Sequence, residues 1–131
     1  MKRYTLLLTC LPVCMILLIW QSCSKENQPP VAQFTIDPVT GNDQTIFVMD
    51  GSATTDPDDK AEAIMVIWDW EGDGIFDSQY ATKKKGDHKY AKSGNYNVTM
   101  VAKDPRGLTD TLVVPLVVSS SNLPPGFRPK K

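Results

Sequence analysis

The stretch from Trp68 to Asp77 constrains the fold more than any other part of the chain. Trp68 and Trp70 stand two residues apart, so on a β-strand both side chains point to the same face. Acidic residues and glycines follow them directly. The pattern therefore predicts a core strand that leads into an acidic, glycine-containing turn.

The sequence after residue 30 has the pattern of an all-β domain. Alternating apolar residues and turn-forming segments rich in Pro, Gly, Asn and Asp give seven candidate strands without intervening helices, which predicts a β-sandwich. The clearest candidate strands cover 31–36, 45–50, 63–70, 78–85, 96–103 and 108–118. The strand at 63–70 is apolar on both faces and is predicted to be central, whereas Pro115 places the last strand at an edge or a bulge. Lys83, Lys84 and Lys85 either protect a sheet edge from pairing or contact a polyanion.

The first 23 residues have the form of a secretory signal. Met1 to Arg3 carry positive charge, Tyr4 to Trp20 are almost all apolar, and Ser22 precedes Cys23. The segment resembles a Bacteroidetes-type bacterial lipoprotein signal, which implies cleavage after residue 22 and lipidation of Cys23. The resemblance implies an outer-membrane lipoprotein, anchored through Cys23 and facing the cell surface or the periplasm. The alternative is an uncleaved membrane anchor, since 17 residues is the lower limit for a spanning helix.

The remaining chain divides by composition. Residues 23–30 are polar and contain prolines, so we expect a flexible tether, and residues 119–131 lack periodicity, so we expect a disordered tail. All three cysteines lie within the first 23 residues, so the domain at 31–118 has no disulfide framework. A net charge of −1 gives no indication of a nucleic-acid partner.

The domain resembles the PKD domain, an immunoglobulin-like β-sandwich named after polycystic kidney disease. The resemblance runs from about Pro30 to Val118. It rests on the opening strand, the loop containing Asp56-Pro57-Asp58, the Trp68-Asp69-Trp70 motif before Gly72-Asp73-Gly74, and a later series of matching positions: His88, Tyr90, Gly94, Tyr96, Val98, Met100, Asp104 and Gly107. It implies a seven-stranded immunoglobulin-like β-sandwich that is extracellular and non-catalytic, and that contacts proteins or carbohydrates or acts as a spacer.

The acidic turn, Glu71–Asp77, is the best candidate site. Together with Asp69 it offers the carboxylates of Asp69, Glu71, Asp73 and Asp77, which suit calcium because calcium prefers six to eight oxygen ligands. A complete EF-hand loop is excluded because Tyr80 occupies the position of the bidentate glutamate. The alternative is a solvated hairpin turn in which Asp69 caps backbone amides. No cofactor is required by the sequence beyond this possible calcium ion.

Other candidate residues have structural interpretations. A second acidic group, Asp56 with Asp58 and Asp59, is expected to be a solvated loop. The only histidine, His88, is expected to bond to a neighbouring loop, because no serine, cysteine or base is placed to form a nucleophile pair with it. We therefore predict that the protein is not an enzyme.

Three aromatic residues are candidates for ligand contact. Trp70, Phe76 and Tyr80 lie close to the acidic turn, although alternation favours a core position for Trp70. An exposed apolar patch that includes them would favour a module binding a glycan or an extracellular protein. A surface of scattered polar residues would favour the alternative, a structural spacer or accessory subunit with no ligand of its own.

Overall fold

The computed structural model describes residues 25–122. The predicted signal peptide, Cys23 and most of the predicted tail lie outside the described residues. Within residues 25–122, no helix is long and apolar enough to cross a membrane.

Between residues 25 and 122, seven strands and one short 3-10 helix make up the regular structure. The strands are β1 (Thr35–Asp37), β2 (Gly41–Asn42), β3 (Phe47–Asp50), β4 (Met65–Asp69), β5 (Lys85–His88), β6 (Gly94–Lys103) and β7 (Thr109–Ser119), and the 3-10 helix covers Ala61–Ala63. They form a small sheet in the order β1-β3-β5 and a large sheet in the order β2-β7-β6-β4. The predicted all-β, immunoglobulin-like sandwich is confirmed.

The large sheet is built on the pairing of β6 with β7. Ten residue pairs join these antiparallel strands, from Gly94 opposite Val118 to Lys103 opposite Thr109. β4 pairs with the other side of β6 and ends the sheet. The prediction that this strand is central is therefore wrong: among the described residues its outer side carries only the bridge between Val66 and Ala81, and its second apolar row, Met65 and Ile67, lies on the outer side of the sheet. Among the described residues, β7 pairs on its outer side only with the two residues of β2. Pro115 therefore lies on a largely unpaired edge, where its missing N–H costs no ladder hydrogen bond.

The core lies between the sheets and is filled by alternate residues of the long strands. Val98, Met100 and Ala102 of β6 are fully buried. They face Phe47 and Met49 of β3, which are also fully buried. Period-two alternation therefore places one side of each strand in the core, as the sequence predicts.

The predictions are least accurate between β4 and β6. The expected strand at 78–85 is absent apart from a single bridge between Ala81 and Val66, and the strand there is β5, Lys85–His88. Lys84, expected on an exposed edge, is buried instead. β2 lies in a segment expected to be a turn. The sequence does not predict β2 and β5 because backbone pairing, rather than side-chain alternation, defines such short strands.

The chain enters the sandwich at one end and leaves it at the other. Before β1, the amide of Ala32 donates to Asp110 near the start of β7. At the other end of β7, Ser119 lies opposite Asn42. β6, which spans the distance between these ends, has ten residues and is about 30 Å long.

Candidate functional site

A continuous row of aromatic rings runs through the core towards the acidic turn. Trp68 and Trp70 stack with centroids 4.8 Å apart, and Trp70 stacks on the His88 imidazole at 5.9 Å. The imidazole then meets Tyr90 edge-on at 4.6 Å. The tyrosine hydroxyl donates to the Trp70 carbonyl over 2.8 Å, which satisfies a buried polar group. This row contacts the acidic turn through His88, which bonds to Glu71.

Gly86 of β5 makes room for the side chain of Trp70, the residue that follows β4. A Cβ atom at Gly86 would lie 2.6 Å from Trp70 Cη2, closer than any normal contact. The indole therefore packs directly against the backbone of β5. Trp70 is 8% exposed, so the expectation that it contacts a ligand is wrong, because its ring is enclosed by the small sheet.

The acidic turn is held by Asp69. One carboxylate oxygen accepts from the backbone N–H of Gly72 at 2.7 Å and of Asp73 at 3.3 Å, and the other accepts from Gly74 at 2.9 Å. Gly72 has a φ of +73°, which favours glycine at this position. Asp69 is 3% exposed and its oxygens are occupied by the turn, as expected of a residue that caps backbone amides.

Three of the four predicted calcium ligands come together. Asp69, Glu71 and Asp77 each place a carboxylate oxygen within 4.8 Å of the others, whereas Asp73 does not belong to this group. The Asp73 side chain instead accepts from the backbone N–H of Ile75. The sequence pattern therefore anticipates three members of the cluster.

Protein donors already occupy the carboxylates of this cluster. Asp77 accepts from the Trp70 backbone N–H at 2.7 Å, and Glu71 Oε1 lies 2.8 Å from His88 Nε2. Burial raises the pKa of Glu71; the nearby His88 opposes this effect and the neighbouring Asp77 adds to it. His88 thus bonds to a neighbouring loop as expected. A calcium ion here would have to compete with these existing partners, and its binding stays a prediction.

A second group of carboxylates lies at the other end of β4. We call Asp56, Asp59 and Asp104 the loop cluster, because each places an oxygen within 4.8 Å of the others. Asp104 is 1% exposed, and it lies after β6, far in sequence from Asp56 and Asp59. The loop of Asp56, Asp58 and Asp59, expected to be solvated, is instead half-buried, because the segment after β6 and the start of the described chain pack against it.

Two oxygen atoms at the loop cluster are buried without a hydrogen-bond donor. They are Oδ2 of Asp56 and Oδ1 of Asn27. The side-chain nitrogen of Asn27 donates to Asp104 over 2.6 Å. Buried acceptors that lack a donor are costly, and coordination to a cation is one way to satisfy such an oxygen. Asp59 of the loop cluster already pairs with the Arg106 guanidinium over 2.9 Å, so a calcium ion here would also have to compete with an existing partner. No sequence pattern indicates this cluster, because Asp104 lies 45 residues after Asp59.

The described part of the predicted tether contacts this loop. Residues 25–30 have no helix or strand, but the ammonium of Lys25 lies 2.5 Å from Asp58 and the amide of Gln28 donates to the same side chain over 2.8 Å. The hydrogen bond and charge of Lys25 lower the pKa of the Asp58 carboxyl. The chain that precedes β1 is therefore docked on the end of the sandwich.

The remaining candidate contact residues are exposed. Ile75 and Phe76 on the acidic turn are 70% and 45% exposed, and Tyr80 is 36% exposed. The Lys103 ammonium lies 3.9 Å from the centre of the Tyr80 ring, a cation–π contact. Tyr80 is thereby held beside the outer surface of the large sheet.

The outer surfaces of the two sheets differ in charge. The small sheet presents Asp37, Asp50, Lys85 and Asp87 on its outer side. On the outer side of the large sheet, Lys103 lies opposite Met65 at one end, and Asp69, opposite Thr99, is buried. Between them and the far end of β7 lies a surface without a charged side chain, which we call the neutral face: Ile67, Asn95, Asn97, Thr99, Val101, Thr111, Val113, Pro115 and Val117. Its most exposed apolar members are Val113, at 49%, and Val117, at 62%.

Solved structures with this fold include a carbohydrate-binding protein. One similar chain belongs to a study of the promiscuous specificity of carbohydrate-binding modules from the β-sandwich superfamily, with 29% identity and a TM-score of 0.64. The alignment covers 73% of this chain and 36% of that chain, so only about a third of that relative is matched.

Isolated PKD domains of peptidases are also similar. The PKD1 domain of the Vibrio cholerae metalloprotease PrtV is 28% identical, with 71% of this chain and 100% of that chain covered and a TM-score of 0.54. The PKD domain of an M14-like peptidase from a Thermoplasmatales archaeon is 24% identical, with coverages of 72% and 100% and a TM-score of 0.55, and this shows the shared fold. None of the curated proteins matches the chain. The sequence profile of the PKD domain matches residues 27–118, which is most of the chain, and the protein therefore belongs to the PKD-domain family.

Proposed function

We propose that the protein is a non-catalytic, membrane-anchored extracytoplasmic module that binds a protein or carbohydrate through the neutral face. The observation that carries this proposal is the contrast between the two outer surfaces. The small sheet is charged, as an ordinary solvated surface is, whereas the neutral face combines exposed valines with Asn and Thr side chains. Depletion of charge is typical of the centre of binding interfaces.

The chemistry of the neutral face suits an uncharged partner. Its valines offer apolar contact area, and the amide and hydroxyl groups of its Asn and Thr residues both donate and accept hydrogen bonds. Tyr80, beside this face, adds an aromatic ring of the kind that stacks on a sugar. The similarity to a carbohydrate-binding module supports a glycan, and the similarity to peptidase PKD domains supports an extracytoplasmic setting.

A matched pair of variants tests the proposal on a glycan array and in pull-downs from outer-membrane extract. V113K places a charge at the centre of the neutral face, and V48K places the same charge on the small sheet, where Val48 is similarly exposed at 41%. We expect the unmodified protein and V48K to retain the same partner and V113K to lose it. Equal retention by both variants would remove the neutral face as the site, and no partner in either assay would leave the spacer function.

Anchoring through Cys23 is the second part of the proposal. It rests on the apolar segment at 4–20 and on Ser22 before Cys23. Several acyl chains on one residue hold a protein on a membrane stably, whereas a single chain does not. We expect mass spectrometry to find an acylated Cys23 at the mature N-terminus and the outer membrane to contain the protein, and C23S to abolish both. An intact Met1 on the mature chain would refute lipidation.

A structural spacer is the second candidate function. The observation that favours it is that the described residues before β1 and after β7 lie at opposite ends of the sandwich. A module connected in this way holds its N-terminal and C-terminal attachments about 30 Å apart, the length of ten β residues. In this case V113K and V48K would behave alike in every binding assay.

A further inference from the structure

An open cavity of about 390 Å³ lies next to the ends of β3 and β5. Five residues line it: Ser52, Ala61, Glu62, Thr82 and Lys84. They come from the segment after β3, from the 3-10 helix and from the segment before β5. Its volume lies within the range of small-molecule sites, roughly 300–1,000 Å³.

The distinctive group in this cavity is a buried lysine. Lys84 is 9% exposed, and its ammonium donates to the backbone carbonyl of Ala61. The backbone carbonyl of Lys84 accepts from Gly51 at 2.9 Å, so the main chain at this position is fixed. Within residues 25–122, the ion pairs involve Lys25, Lys85, His88 and Arg106, and none involves Lys84.

An ammonium with one neutral acceptor is not fully satisfied. It has three N–H donors, and a cation withdrawn from water is stabilised best by an anion. Glu62 lines the same cavity but forms no ion pair with Lys84. The cavity therefore suits a ligand that brings a carboxylate to the lysine.

The rest of the lining restricts what carries that carboxylate. Ser52 and Thr82 supply hydroxyl groups, and Glu62 supplies a carboxylate that accepts hydrogen bonds but repels a second negative charge. A ligand with one carboxylate and several hydroxyl groups matches this set. We propose that the cavity binds a uronic acid residue of an acidic saccharide, with its carboxylate on Lys84 and its hydroxyl groups on Ser52, Thr82 and Glu62.

This site is separate from the neutral face and goes beyond the proposed function. A purely structural role for Lys84 would consist of tying the Ala61 carbonyl to the segment before β5. That role predicts a change in stability when the lysine is replaced, but no binding of any sugar. Binding, rather than stability, therefore decides between them.

The test uses D-glucuronate as the probe and the full chain in a detergent without a sugar headgroup. We expect NMR titration to show saturable shifts at the cavity amides, with a Kd on the order of 1 mM, typical of weak small-ligand binding. D-glucose and acetate at equal concentration should bind at least tenfold more weakly. K84M should lose binding at least tenfold, and K83M, which removes a neighbouring exposed lysine, should retain it.

Two further variants make the test independent of folding. If K84M is unfolded, the S52A/T82V variant keeps the lysine and should weaken glucuronate binding at least threefold while leaving acetate unchanged. No saturable shift with glucuronate would overturn the site. Equal binding of glucose would overturn the role of Lys84, and equal binding of acetate would overturn the assignment to a saccharide. V113K, which tests the neutral face, should leave glucuronate binding unchanged.

Discussion

Replacement of Asp69 by asparagine tests how the acidic turn is held. The carboxylate of Asp69 is 3% exposed and accepts from three backbone N–H groups, of Gly72, Asp73 and Gly74. In D69N one oxygen still accepts from the first two. The second oxygen is replaced by an NH2 group, which is a donor and so cannot accept the hydrogen bond from the N–H of Gly74.

The expected cost follows from this geometry. One hydrogen bond to a charged acceptor is lost and two N–H donors are brought together, and the total is about 2–3 kcal/mol. In a domain of this size, each kcal/mol lowers the melting temperature by about 4–8 °C, so the melting temperature of D69N should fall by roughly 8–24 °C. Trp68 and Trp70 flank Asp69, so tryptophan fluorescence during urea unfolding reports on this region directly.

D73N is the matched control. Asp73 is exposed and its side chain accepts only from the N–H of Ile75, so its replacement should cost less than about 1 kcal/mol. The free energy of unfolding is obtained for each variant by linear extrapolation to zero urea. If D69N falls within about 0.5 kcal/mol of the unmodified protein, the range of a neutral surface substitution, or if D73N costs as much as D69N, Asp69 does not hold the turn.

Three further predictions concern the core, pH and calcium. Y90F removes the buried hydrogen bond to the Trp70 carbonyl and should cost about 1–3 kcal/mol in urea unfolding. The hydrogen bond from Lys85 lowers the pKa of Asp50 to about 2, so the stability from this pair should be present above pH 3.8 and be lost as the pH falls towards 2. Because both side chains are largely solvated, this loss should stay below about 1 kcal/mol in acid titrations. Calcium at 100 times its Kd should stabilise the protein by about 2.7 kcal/mol in a thermal melt, and D56N should abolish the effect.

Each of these predictions has a control that separates it from a general loss of stability. Y96F removes an exposed hydrogen bond to Lys92 and should cost less than Y90F. K85M should remove the acid-dependent part of the stability and leave the rest. D77N alters the acidic turn and should leave the stabilisation by calcium intact. If calcium no longer stabilises D77N but still stabilises D56N, the ion binds at the acidic turn. Identical melting temperatures in calcium and chelator would exclude both sites.

The sequence predicts the architecture well because most of the core follows strict alternation. Val98, Met100 and Ala102 alternate with less buried neighbours over the whole of β6, so the class of fold and the buried face can be predicted without a structure. The short strands are different. β5 contains Lys85, Gly86, Asp87 and His88, which have no apolar alternation, and its strand conformation is imposed by pairing with β3.

The candidate sites are predictable only where they are local in sequence. Asp69, Glu71 and Asp77 lie within nine residues of one another, and their proximity follows from a tight turn. The loop cluster requires Asp104 to return beside Asp59, which depends on the packing of the segment after β6. The buried state of Lys84 is equally invisible to a pattern, because lysines are mostly exposed and only the position of the 3-10 helix provides its acceptor.

The opposite placement of the two connections has a mechanical consequence. A pull exerted on the chain before Ala32 and after Ser119 would act along the strands, parallel to β7 and its ten-residue ladder with β6. The hydrogen bonds of that ladder would then bear the load together, as in shear, instead of opening one after another from a strand end. Forced unfolding is governed by the rate of crossing the unfolding barrier, so resistance to a sustained pull depends on this barrier more than on equilibrium stability. A domain fixed to a surface on one side and loaded on the other would extend little until the whole ladder failed at once.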